Sequence, residues 1–339
     1  MITGAAQADA AILVVAGSRG EFEGGFSESG QTKEHAILTS SLGVKQLIVA
    51  VNKLDTVNWS QERFKYIQNQ LDPFLQRIGV ESVRYVPCSG LLGHNILKSH
   101  SGEEEEFKWY RGPTLTEAID LLETKKRIDD SPPRLFVSDV YPHKKDVIRV
   151  YGKIAAGSIG VKDRVLLMPL NLRCAVKSVF LRKEGVNFGA AGENVSIDLA
   201  GVPDPQLVSI GSVICSNTRP VPVSSRFRAK MYTLDMLRVP VLPGQRFTLH
   251  YQCFEIPCNV TKLLRLLDTS TGKLKRKKPR TITKNQLCAV EITATRPICI
   301  ESKSNFPQLS RFVLRDRGVT VASGLVLKIL KKKKKKKAV

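Results

Sequence analysis

The chain has 339 residues, 42% hydrophobic and 25% charged, enough for two or three domains of ~100 to 150 residues each and too apolar for a disordered tail. No run approaches the ~18 apolar residues of a membrane-spanning helix, and MITGAAQADAAILVV has no basic region ahead of its apolar stretch, so neither a membrane span nor a signal peptide is read and a cytoplasmic location is expected. The net charge of +22 stays strongly basic without the seven lysines of 331–337, which points to a polyanionic partner held by salt-sensitive phosphate contacts.

Residues 10–16 (AAILVVA), 46–51 (QLIVAV) and 83–87 (VRYVP) read as strands buried on both faces, the pattern of a parallel sheet. Between the last two a helix is expected. Ser60 caps it, Glu62 lies in its first turn, Phe64, Ile67, Leu71, Phe74, Leu75 and Ile78 form its apolar face, and Gly79 stops it. The charged stretch 124–133, ending in SPP, reads as a linker. From Arg134 the segments RLFVSDVY, VIRVYGKIAAG, DRVLLMP, CAVKSVFL and NVSIDLAGV predict a closed antiparallel barrel or sandwich. After a proline-rich junction at 220–222, RFRAKMYTL, QRFTLHYQCFEIPCNV, LCAVEITAT, RPICIES, RFVLRD and VTVASGLVLKI predict a second barrel. The expected domains are 1–130, 134–219 and 222–330, with a lysine-rich tail at 331–339 that reads as a solvated end. The basic run 273–280 (KLKRKKPR) is expected as an exposed loop. The seven cysteines are scattered through apolar runs and read as reduced core thiols; the pair Cys253 and Cys258 lacks the second pair a zinc site requires.

One motif concentrates the chemistry. Asn52-Lys53-Leu54-Asp55 follows the strand LIVAV, at the carboxyl end where open α/β sheets place their ligands. The Asp55 carboxylate can accept both the ring N–H and the exocyclic amine of guanine, a two-point contact that adenine does not offer. The Lys53 stem can cover one face of the purine, and Asn52 can brace the loop. A second loop, Cys88-Ser89-Gly90-Leu91, follows VRYVP, and its backbone N–H groups can reach the base carbonyl. His35 and His94 lie near these loops without a carboxylate spaced to orient them, and read as surface or capping residues.

The segments MITGAAQADAAILVVAG, GEFEGGFSESGQTKEHAILTSSLGVKQLIVAVNKLD, AAGENVSIDLAGV and FPQLSRFVLRDRGVTVASG resemble the elongation factor 1-alpha family of translational GTPases. That family includes the eukaryotic release-factor GTPase and the Hbs-type ribosome-rescue GTPase that partners Pelota. VNWSQERF, WYRG, RLFVSDVY and LHYQ look most like the Hbs-type member, while FPQLSRFVLRD is shared with the release-factor GTPase. The resemblance implies a P-loop-GTPase-like partial G domain followed by two antiparallel β-barrels. It also implies guanine contacts from Asn52, Lys53, Asp55, Ser89, Gly90 and Leu91, GTP with Mg²⁺ as cofactors of the family, and a monomer that works with a Pelota-like factor and ribosomal RNA. A release-factor or elongation-factor paralogue and a non-enzymatic ribosome-binding module are the rival expectations. No GxxxxGK[ST] occurs in the sequence, nor the family's switch threonine or catalytic histidine, and Met1 matches an internal methionine of the family, so an N-terminally truncated chain without turnover is expected, whose first strand presents an apolar edge.

Overall fold

The computed structural model describes residues 2–27, 30–98, 107–123, 127, 131–144 and 146–330. The lysine run and most of the linker expected at 124–133 lie outside them. Two compact units separate, Ala8–Lys125 in one and Met1–Gln7 with Lys126–Val339 in the other.

In the first unit β1 (Ala10–Ala16), β2 (Gln46–Asn52) and β3 (Ser82–Pro87) form a parallel sheet in that order. β2 is buried throughout Leu47–Val51, as a central strand of apolar residues must be. β1 departs from the expected two-sided burial, because Ile12 is 43% and Val14 59% exposed. Helices α2 (Glu21–Phe26) and α3 (Gln31–Leu42) contact β1. The short helix α5 (Leu115–Asp120) sets Ala118 against Ile48 of β2 and Val86 of β3. Ile12 and Val14 lie in register with Ile48 and Ala50, beyond the reach of that contact. The long helix of the unit is α4 (Gln61–Arg77): the Ser60 side chain accepts a hydrogen bond from Arg63 N at 3.3 Å, Phe64, Ile67, Leu71, Phe74 and Leu75 are buried while Ile78 caps the end half-buried, Pro73 lies inside the helix, and Gly79 follows at φ 86°.

In the second unit the helix α1 (Ile2–Gln7) ends where Lys153 Nζ donates to the Gln7 carbonyl at 2.6 Å. Strands β4 (Arg134–Lys144), β5 (Val147–Ala156), β6 (Ser158–Gly160), β7 (Arg164–Met168), β8 (Leu172–Leu181), β9 (Glu184–Val186), β10 (Phe188–Ala190), β11 (Asn194–Ala200) and β12 (Val213–Ser216) follow. The sheet β11-β5-β4-β12-β7-β8 closes through β11–β8 pairing into a six-stranded antiparallel barrel. The next strands are β13 (Val223–Thr233), β14 (Arg246–Tyr251), β15 (Phe254–Leu267), β16 (Leu274–Lys277), β17 (Leu287–Cys299), β18 (Arg311–Asp316) and β19 (Val319–Leu330). Here β14-β18-β19-β13-β17-β15 closes through β14–β15. Closure satisfies the strand edges internally, which explains why short, half-apolar strands suffice for both barrels. The run 273–280, expected as a loop, instead carries β16, which pairs with the end of β15 and is exposed along its length. All seven cysteines are free and buried; burial pushes Cys258, Cys288 and Cys299 up to about 12, so they remain thiols.

The barrels share one apolar cluster, in which Phe136, Leu166, Val213 and Cys215 of the first meet Tyr251, Phe254 and Cys299 of the second. Gly211 has φ 88°, and a Cβ there would come within 2.3 Å of the Phe254 ring, so only glycine allows that approach. Within this apolar region Arg134 Nε donates to Glu301 Oε1 at 2.9 Å, with both side chains almost wholly buried, and the guanidinium lies 5.1 Å from the Phe306 ring centroid. Burial pushes the Glu301 carboxyl up from the ordinary carboxylate range, and Arg134 opposes that rise. Tyr251 Oη donates to Leu309 O at 2.6 Å and accepts from Glu301 N at 2.9 Å. Arg134→Ala leaves a buried carboxylate without its cation and is expected to destabilise the barrels by about 3–5 kcal/mol, whereas the double change Arg134→Leu with Glu301→Leu recovers most of it. Urea denaturation of the three variants measures both.

Candidate guanine-nucleotide site

Asn52 is the last residue of β2, and the chain turns sharply after it: Lys53 adopts φ 61°, and Leu54–Val57 form a single 3₁₀ turn that carries Asp55. The Asn52 side chain fixes this exit. Its Oδ1 accepts from Lys53 N at 2.8 Å and from Gly90 N at 2.8 Å, so one carboxamide ties the loop after β2 to the loop after β3. Leu54 N donates to Cys88 O at 3.4 Å, a second link between them. The β1 end joins the same group: Gly17 N donates to Asn52 O at 2.6 Å, and a Cβ on Gly17 would stand 2.9 Å from Leu54 Cδ1. A side chain there would push the Asp55 turn outward.

In the second loop Ser89 is fully buried; its N–H donates to His94 O at 3.1 Å, and its Oγ accepts from Leu92 N at 3.3 Å. The backbone N–H groups of this loop were expected to reach the base carbonyl. Two of them are already engaged, that of Ser89 with His94 and that of Gly90 with Asn52, while the Leu91 N–H enters no hydrogen bond among the described residues and its side chain is 89% exposed. The Ser89 and Gly90 N–H groups are thus held within the protein, and the Leu91 N–H is left open. His94 also departs from a surface role, since it is half-buried and stacks on Trp59 at 6.0 Å and 26°. His35 is exposed on α3.

Asp55 leaves an acceptor open at the turn after β2. Its Oδ1 is buried from solvent and has no hydrogen-bond partner, a state that ordinarily costs stability and that a ligand donor would relieve. Lys53 Nζ pairs with Glu21 Oε2 at 2.8 Å, which holds the Glu21 carboxyl below its ordinary value and stretches the lysine stem along the rim. Among the described residues no group of three His, Cys, Asp or Glu is placed to hold a metal ion.

Some supporting residues escaped the sequence reading. Arg63 donates from Nε to Gly17 O at 2.7 Å and from Nη2 to Ser18 O at 2.9 Å, and grips Glu23 through both terminal nitrogens at 2.7 and 3.2 Å. The buried Asn95 donates to Pro87 O at 2.7 Å. Neither carries a local signal, because each acts on backbone that is distant in sequence or beyond a turn.

Residues 1–126 match the elongation factor Tu GTP binding domain family, and residues 226–327 match the GTP-eEF1A C-terminal domain-like family. The chain is 40% identical to Protein HBS1 of Drosophila melanogaster over 331 residues, which cover 97% of this chain and 49% of that protein. It is 36% identical to elongation factor 1-alpha of Thermofilum pendens, over 98% of this chain and 76% of that protein. The crystal structure of Sup35 complexed with GDP superposes with a TM-score of 0.56 at 33% identity, covering 98% of this chain and 81% of that one. The chain thus spans about half the length of the fly relative and three-quarters of the archaeal one.

The grip of Arg63 holds the Glu23 carboxyl down at about 2 from an ordinary 4.5. A depressed carboxylate contributes stability that is present above its ordinary pKa and lost as pH falls from there through about 2. Glu23 is partly exposed, so solvent screening keeps that contribution under about 1 kcal/mol. Glu23→Gln is expected to flatten the pH dependence of the urea midpoint over this window, followed by tryptophan fluorescence; a slope equal to the parent's would remove the pair from the stability of the loop.

Proposed function

This chain belongs to the elongation factor 1-alpha family of translational GTPases, and from that membership we propose that it serves in ribosome rescue, in the GTP-dependent delivery of a Pelota-like factor to stalled ribosomes. The nucleotide half of this reading is carried by the unsatisfied Asp55 carboxylate oxygen at the rim of two loops tied together by Asn52. Guanine presents its ring N–H and exocyclic amine side by side, and one carboxylate accepts both. The Leu91 N–H is the donor for the base carbonyl, and the Lys53 stem, held by Glu21, covers a face of the purine. Discrimination by paired contacts to one base edge is worth roughly 1–3 kcal/mol.

GTP bound by the family brings phosphates and a Mg²⁺ that stabilise charge on the transferring phosphoryl group. No GxxxxGK[ST] occurs in this sequence, so these residues serve the base, and guanosine and GTP are expected to bind this chain with similar, weak affinity.

Strand register supports the ribosomal half of the reading. Across the second barrel, Lys328, Arg228 and Lys262 share a row with the buried Glu291, and Lys230, Arg265 and Lys277 form the next row. Arg226 Nη2 reaches Glu291 Oε1 at 2.5 Å. One carboxylate does not neutralise so many cations, and a polyanion completes the balance. The Hbs-type assignment is supported by VNWSQERF and WYRG, distant segments that pack together: Phe64 and Trp109 lie 5.1 Å apart. FPQLSRFVLRD favours the release-factor GTPase as the rival, and capture of Pelota against a termination factor by the full chain separates the two.

Asp55→Asn is expected to weaken guanosine binding at least tenfold and to favour xanthosine, because the amide presents a donor where xanthine offers a carbonyl. Competition binding that leaves the guanosine preference intact would remove Asp55 from the site. Deleting residues 331–337 is expected to lower ribosome association at low salt and flatten its salt dependence while leaving Pelota capture intact, since like charges on a tail follow phosphates without reading shape. Sedimentation with ribosomes across a salt series, alongside Pelota pull-down, checks both halves; loss of Pelota capture on deletion would overturn the separation of the two contacts.

A further inference from the structure

Both tryptophans of this chain, Trp59 and Trp109, lie in one aromatic group against the base loops. The turn carrying Asp55 ends in two residues with side chains in the left-handed region, Asn58 at φ 50° and Trp59 at φ 49°. Such residues keep that conformation only where their surroundings hold them. From within, Asn58 N donates to Asp55 O at 3.2 Å and Trp59 N to Leu54 O at 3.0 Å. From outside, Trp109 Nε1 donates to Trp59 O at 2.7 Å. The Trp59 ring then stacks on His94 of the second loop, whose carbonyl accepts the Ser89 N–H, and lies 4.5 Å from the buried Phe107.

Residues 107–112 are built to hold that position. Tyr110 Oη donates to Pro113 O at 2.8 Å, and a Cβ on Gly112 would fall 2.5 Å from the same oxygen, so the segment closes over its own ring. We propose that Trp109 is a positioning residue for guanine recognition: through Trp59 it fixes the turn that aims Asp55, and residues 107–112 form a third, buttressing segment of the base site. This rests on the reading of Asp55 and Leu91 as base contacts.

The test separates the two ideas. Inosine lacks the exocyclic amine that Asp55 would accept, so the ratio of guanosine to inosine affinity reads the aim of that carboxylate, whereas a general loss of fold stability leaves the ratio unchanged. With the full chain and intrinsic fluorescence as the signal, the parent is expected to prefer guanosine by roughly tenfold. Trp109→Phe, which keeps a ring and loses the donor, is expected to bring the preference within about threefold. Phe107→Leu, which withdraws the ring against Trp59, is the second probe and should do the same. Phe64→Leu disturbs the cluster on its α4 side and is expected to lower the melting temperature with the preference retained. A parent without preference sinks the base-site reading and this inference with it. A parent with the preference and Trp109→Phe or Phe107→Leu variants that keep it overturn the inference alone, and so does an equal loss in Phe64→Leu.

Discussion

The Asn52 carboxamide is the joint on which the candidate site depends. In a parallel sheet, adjacent strands deliver their carboxyl ends to the same edge but leave the loops beyond them unconnected. A single side-chain oxygen that accepts one N–H from its own loop and another from the next converts two independent turns into one surface. Everything placed on that surface follows from it: the left-handed Lys53, the 3₁₀ turn that carries Asp55, and the exposure of Leu91. The close approach of Gly17 from β1 and the grip of Arg63 on the Gly17 and Ser18 carbonyls extend the same device to a third strand end.

The unit that carries the barrels obeys a different constraint. Each barrel satisfies its strand edges by closing, and what remains is to hold one barrel against the other. A shared apolar cluster does most of this, and the Arg134–Glu301 pair, flanked by Phe306 and the Tyr251 hydroxyl, fixes how the two meet. A buried ion pair adds little net stability over an apolar one of the same shape, yet it penalises any arrangement that separates its partners. Orientation is what such a pair supplies.

Charge follows the same logic. The cations on the second barrel are dispersed in sequence from Arg226 to Lys328, and the antiparallel register alone gathers them into rows around Glu291. Burial holds that carboxyl up while Arg226, Lys262 and Arg228 draw it below its ordinary value, so it stays ionised and anchors their side chains.

Much of this was legible in the sequence. Apolar runs, turn residues and the Ser60 cap located the strands and α4, and Asn52-Lys53-Leu54-Asp55 located the loop after β2 on which the candidate site is built, because these signals are local: a period, a cap, a motif at the end of a strand. The sequence determined the two barrels for the same reason, since short strands between turns have few ways to satisfy their edges. What the tertiary structure decided concerns residues whose partners lie far along the chain. Which N–H groups of Ser89, Gly90 and Leu91 remain available depends on His94 and Asn52; which face of β1 is covered depends on where α5 ends; and whether 273–280 is a loop or a strand depends on the reach of β15. Trp59 and Trp109 are fifty residues apart and each reads alone as an ordinary apolar side chain, but a hydrogen bond between them exists only once the sheet has brought their segments together, and no local pattern encodes a contact of that kind.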